Sequence, residues 1–131
     1  MSEVLLYNIE TQKELKIKML CHKLNIGFRT VKKDEYGYKL SYLLQLSSDG
    51  EKGYDADFDD ELMYLSNIDG GMLTVFLSQL RKQKTPVELK AVRTDTNVGF
   101  TSSQLYKEIS AEHNAIKRGE IAHKTEENQE A

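Results

Sequence analysis

The chain has 131 residues, an ordinary apolar fraction of 39% and a net charge of −3. That length gives one domain with a core of its own, and the acidic balance argues against nucleic acid as the main partner. One cysteine, Cys21, excludes an internal disulfide and fits a reducing compartment. No apolar run nears the roughly 20 residues needed to cross a bilayer, and no basic region precedes an apolar run at Met1-Ser2-Glu3-Val4. The expected location is the cytoplasm, without a membrane partner.

Val4-Leu5-Leu6-Tyr7 is a continuous apolar run, the pattern of a strand covered on both faces. Thr11 and Glu14 form a T-x-x-E capping box that predicts a helix start. Ile17, Leu20, Cys21 and Leu24 then repeat at helical spacing, and Asn25 and Gly27 supply the turn chemistry to end that helix. Phe28-Arg29-Thr30-Val31-Lys32 is a mixed strand suited to a sheet edge. Leu40, Leu43 and Leu44 give a short second helix. Residues 49–60 crowd acids around Gly50 and Gly53 and read as a solvated, mobile connector.

Leu62-Met63-Tyr64-Leu65 repeats the apolar run, and Asp69 is the best N-cap for the third helix. Leu73, Phe76, Leu77 and Leu80 form the stripe of that helix. Arg81, Lys82 and Lys84 suit its C-terminus, and Pro86 closes it. Val87, Leu89 and Ala91 alternate with Glu88 and Lys90 as a half-exposed strand. Thr101 and Gln104 make a second capping box, opening a helix that carries Leu105, Ile109, Glu112 and Ile116 along one line. Residues 119–131 read as a flexible tail.

The halves, about 1–48 and 61–118, share one pattern, and Asn8-Ile9-Glu10 matches Asn67-Ile68-Asp69. Two βαβα units predict a three-layer α/β domain over residues 1–118 with a mostly parallel four-stranded sheet. The continuous runs belong in its centre, giving strand order 2-1-3-4. Ligands in open α/β sheets favour the crevice at such a switch point. The loops 8–11 and 67–71, with Asn8, Asn67 and Asp69, would line it.

A second set of donors lies at Lys90, Arg93, Thr94, Thr96 and Asn97, beside a helix start. It suits an anion or nucleotide phosphate, and equally suits plain loop closure, since Asn and Thr cap turns. Glu108, Glu112 and His113 lie a turn apart but lack the H-E-x-x-H pattern, so a solvated helix face is the better reading. Asp55, Asp57 and Asp59 hint at a calcium loop that fails where Asp60 replaces Gly and Ser66 replaces Glu. Cys21 and His22 point about 100° apart on a helix and make no nucleophile–base pair. Tyr36, Tyr38 and Tyr42 among Arg29, Lys32, Lys33 and Lys39 suggest a base-stacking patch or, better given the acidic balance, a packed edge or a protein-binding patch.

The stretch Lys90-Ala91-Val92-Arg93-Thr94-Asp95-Thr96-Asn97 carries the pattern Lys-Ala-Val-x-Thr-x-Thr-Asn. With it, from Leu62 to His113, the chain resembles a family of small bacterial proteins known only as a domain of unknown function. That family carries Trp shortly after the Asn, where Phe100 is the nearest aromatic here. The resemblance implies a family and no activity.

The sequence therefore predicts a cytoplasmic α/β protein acting as a non-catalytic interaction or regulatory module, with an unknown protein partner or as a homodimer. The alternative is a domain that binds a small anionic metabolite or nucleotide through Asn8, Asn67, Asp69, Arg93, Thr94, Thr96 and Asn97. No cofactor, metal or catalytic set is predicted.

Overall fold

A computed structural model describes residues 1–53 and 56–117. Tail residues 119–131 and Asp55 lie outside the described residues. Two apolar runs form the centre of the sheet because neither face of them can meet water. β1 (Glu3–Tyr7) and β3 (Leu62–Ser66) lie side by side and are buried except at Glu3. Strands buried on both faces need a helix layer on each. α1 (Thr11–Lys23) and α3 (Gly70–Lys82) form one layer, and α2 (Leu40–Leu43) and α4 (Ser102–Lys117) form the other. The alternation of strand side chains sorts the core. Val4, Leu6, Met63 and Leu65 pack with α1 and α3; Leu5, Tyr7, Leu62 and Tyr64 pack with α2 and α4.

β2 (Gly27–Thr30) and β4 (Leu89–Val92) flank the centre in the order β2-β1-β3-β4, each parallel to its neighbour. Exposed residues recur along both, as their mixed composition predicts. Val87 lies before β4 and joins the α1/α3 core, whereas Leu89 and Ala91 face the other. Among the described residues no helix is long and apolar enough to cross a membrane.

The central pair departs from the parallel arrangement. β1 and β3 run antiparallel, with Glu3 opposite Ser66 and Tyr7 opposite Leu62. The cause is the length of α2. Its four residues span about 6 Å, too little to carry the chain back along a strand of about 17 Å. The segment after α2 could still cross, but it is fastened at the same end. Gly53 N–H donates to Gly37 O at 3.0 Å. The Phe58 ring is buried between Tyr36 and Tyr106, with centroids at 4.5 and 4.2 Å. Asn8 Nδ2 donates to the carbonyls of Phe58 and Asp60 at 2.9 and 3.1 Å. The acidic connector is thus pinned along residues 56–61 rather than freely solvated. β3 starts where β1 ends, so it can only run back.

Local signals place the helix ends. Glu10, not Thr11, caps α1: its carboxylate accepts from the Gln12 and Lys13 N–H groups, which hold its pKa below the usual carboxylate range. Glu14 is turned instead to the Thr30 hydroxyl at 2.7 Å. Asp69 caps α3 through Met72 N–H, and Thr101 and Gln104 form the reciprocal box on α4. α1 and α3 end alike. Asn25 and Lys84 turn left-handed at φ 60° and 61°, and Ile26 and Thr85 N–H reach back to Cys21 and Leu80 carbonyls, which is a Schellman ending. Asn8 and Asn67 also turn left-handed, at φ 56° and 58°, just past β1 and β3. Asn tolerates that region better than most residues.

The pinned connector makes a measurable demand. Phe58→Ala empties the slot between two rings and is expected to cost about 3–5 kcal/mol, read as a lower urea midpoint. Leu46→Ala, at an exposed position, should leave the midpoint within about 0.5 kcal/mol equivalent.

Candidate functional site

β3 and β4 are parallel, with Leu65 opposite Val92, so residues 66–69 and 93–97 leave the sheet at one end. Six of the seven expected ligand residues therefore belong to that end: Asn67, Asp69, Arg93, Thr94, Thr96 and Asn97. Asn8 does not. It comes just after β1, which runs the other way, so loops 8–11 and 67–71 sit at opposite ends of the sheet. The shared rim expected from a parallel pair is not formed.

Within the loop at 93–97, Thr94 and Asn97 spend their polar groups on each other and on nearby backbone and Tyr64. Asn97 Oδ1 accepts from the Tyr64 hydroxyl at 2.6 Å and from Thr94 N–H at 2.9 Å. Its Nδ2 donates to Val92 O at 3.1 Å. The Thr94 hydroxyl accepts from Asn97 N–H at 3.0 Å, and the Thr96 carbonyl accepts from Gly99 N–H. Lys90 Nζ folds back onto Val87 O at 2.7 Å. Arg93 Nη1 donates to Ser66 Oγ at 3.2 Å. Burial raises the Tyr64 phenol pKa, with the Arg93 charge pulling it down, so it remains a neutral donor. Asn8 is similarly committed, its Oδ1 accepting from Tyr36 at 3.2 Å.

Anion binding at a helix start needs free N–H groups. Here Glu10 and Asp69 already place a carboxylate on α1 and α3, and Thr101 with Gln104 closes α4. An incoming phosphate would meet a resident negative charge at the first two. The arrangement can hold a backbone shape; it offers little to an anionic ligand.

The remaining candidates resolve the same way. His113 Nε2 lies 3.0 Å from Glu88 Oε2, yet makes no aligned hydrogen bond, so the contact is an electrostatic one, available when the ring is protonated. These two, with Asp60, Tyr106, Ser110 and Lys117, line a polar cleft of about 450 Å³. No three His, Cys, Asp or Glu among the described residues are placed to hold a metal. Tyr36 is buried in the core, and Tyr38 and Tyr42 pack against it with rings 5.0 Å apart, a packed edge rather than a stacking platform. Cys21 is buried, and burial pushes its thiol pKa up to about 12.

Sequence reasoning missed two contacts at the other end of the sheet. Tyr7 and Ser102 share a buried 2.7 Å hydrogen bond that ties β1 to the first residue of α4. Phe58 stacks on Tyr106, whose hydroxyl donates to Asp60 at 2.7 Å. A lone Phe in an otherwise acidic run was the available signal for the second. The first had none, since the partners are far apart in sequence.

Residues 61–116 match the profile of a family described as a domain of unknown function (DUF3783). The matched stretch runs from the start of β3 nearly to the end of α4. No curated protein and no solved structure matches the chain.

The loop and the buried thiol can each be probed. Asn97→Ala leaves Thr94 N–H and Val92 O without partners and should cost about 1–3 kcal/mol in chemical denaturation, whereas Arg93→Ala should cost under about 1 kcal/mol. Cys21 should stay unreactive to Ellman's reagent in the native protein and react fully in denaturant; rapid native labelling would contradict its burial.

Proposed function

We propose that the chain is a cytoplasmic, non-catalytic interaction module whose scaffold arose by duplication of a βαβα unit. The observation that carries the interaction reading is the self-satisfied loop at residues 93–97. The Asn97 side chain, its N–H and the Thr94 N–H are taken up within the loop and by Val92 O, Tyr64 donates to Asn97 Oδ1, and Arg93 turns one N–H to Ser66. Apolar side chains meanwhile stand in water, Leu15 at 61% and Met19 at 63% exposed. Exposed apolar area beyond scattered single residues marks interaction sites.

Several paired features support the duplication. Left-handed Asn8 and Asn67, matching Schellman endings at Asn25 and Lys84, and acidic caps Glu10 and Asp69 occur once in each half. Past the outer strands, Lys32 N–H donates to Glu35 Oε1 as Thr94 N–H donates to Asn97 Oδ1. The family profile covers one such unit.

Two measurements test the interaction reading. In native chromatography the chain should run well above its 15.0 kDa together with a second protein. Its thermal midpoint should stay within about 1 °C across a panel of nucleotides and anionic metabolites, because a ligand at 100 times its Kd adds about 2.7 kcal/mol and several degrees. A large shift erased by Arg93→Ala, or a chain that elutes alone, would favour the small-ligand alternative.

A further inference from the structure

The two outer layers carry opposite charge. α1 and α3 hold Lys13, Lys16, Lys18, Lys23, Arg81 and Lys82 against Glu14 and the two N-cap acids, Glu10 and Asp69. On the opposite layer the connector brings Asp49, Glu51, Asp57, Asp59 and Asp60 against Lys52, with Asp49 paired to Lys39 and Asp59 to Lys33. Of the α1/α3 cations, Lys13 is tied to Glu61 and Lys18 leans on Glu14. Lys16, Lys23, Arg81 and Lys82 are exposed and have no acid partner among the described residues. At physiological salt the Debye length is about 8 Å, so a visitor to this face is screened from the distant acids and meets positive charge despite the net −3.

The same face exposes apolar side chains. Leu15 and Met19 stand one turn apart on α1, and Val75 is 43% exposed on α3. Phe28 and Val92 share the face, because their register partners Val4 and Leu65 point into the α1/α3 core. Both are exposed, one on each outer strand, so the apolar positions span the width of the sheet.

We propose that the α1/α3 face is a docking surface for a partner protein whose own surface is acidic and apolar. Carboxylates would meet Lys16, Lys23, Arg81 and Lys82, and apolar side chains would cover Leu15, Met19 and Val75. An apolar centre inside a polar rim is the usual anatomy of such contacts, and matched charge speeds encounter and fixes register. The proposal rests on the interaction reading and names its partner's chemistry. A bilayer fits less well: the face exposes no Trp or Tyr, the usual interfacial anchors, and the Phe28 ring lies under the Lys18 ammonium at 5.7 Å. A second copy offering its acidic connector would make a head-to-tail contact that need not close and tends to open chains.

The test places the photo-crosslinker benzoylphenylalanine in the full chain at Met19, at Val75 and, as a control on the opposite layer, at Glu108, in the cells that make the protein. Positions 19 and 75 should give one and the same protein adduct, through a peptide rich in Asp, Glu and apolar residues, and position 108 none. Lys16→Glu with Lys82→Glu should weaken that adduct roughly tenfold in cells, as should raising salt to about 1 M when the crosslinking is repeated in a lysate. Adducts from position 108 alone would overturn the face and leave the interaction reading standing. Adducts from no position would overturn both. An adduct unaffected by the charge reversals would overturn the charge match. Binding to phosphatidylserine-containing vesicles, absent with phosphatidylcholine alone and lost in the double variant, would overturn the proposal in favour of a membrane surface.

Discussion

The antiparallel ladder between β1 and β3 is the constraint on which the architecture depends. Five residue pairs, from Glu3 with Ser66 to Tyr7 with Leu62, join the two halves. Among the described residues the other pairings of named strands stay within a half, and a single isolated bridge, Lys39 with Thr101, also crosses. The orientation of this one seam decides which loops share an end of the sheet. It sends Asn8 one way and Asn67 the other, so that each half keeps its own strand ends, capped by its own acid.

That seam also divides what could be read in the sequence from what could not. The apolar runs at residues 4–7 and 62–65 sufficed to place β1 and β3 in the centre, because a strand without a polar face has nowhere else to go. The mixed strands were legible as edges, and Asp69 and Thr101 as helix starts, since those signals are local. Direction was not local. It turns on α2 stopping after Leu43 and on Phe58 fastening the connector beside Tyr36, a contact between residues 22 positions apart. Composition described that connector as solvated because five of its described acids are; the buried ring of Phe58 fixes its path along residues 56–61. Asn97 illustrates the same limit at the candidate site. Its residue type was right for a ligand and equally right for a turn, and only the position of Tyr64 and Val92 showed the side chain occupied.

The α1/α3 face shows a different kind of illegibility. Each lysine on α1 reads singly as a residue on a wet helix side, and each apolar residue outside the stripe as noise. Only the layering puts α1 beside α3 and turns Phe28 and Val92 to the same side. Charge and apolar area that are dilute along the chain become concentrated on one face. The core beneath does not depend on them, because Ile17, Leu20, Phe76 and Leu80 point the opposite way and hold the layer down. A surface that carries little of the packing is free to serve a partner.

The ladder has a kinetic side as well. Within each half the strand pairs through a single intervening helix, so those contacts close short loops early and cheaply. The central pairing of Glu3 with Ser66 closes a loop of about half the chain, and its closure costs more entropy than either pairing within a half. Until it forms the inner edges of β1 and β3, the most apolar strands in the molecule, stand open. An open edge of either strand is the most apolar edge the chain has to offer another chain, and the ring of Phe58, packed on Tyr7 and Tyr36, holds the start of β3 beside the end of β1 and so keeps those edges on each other.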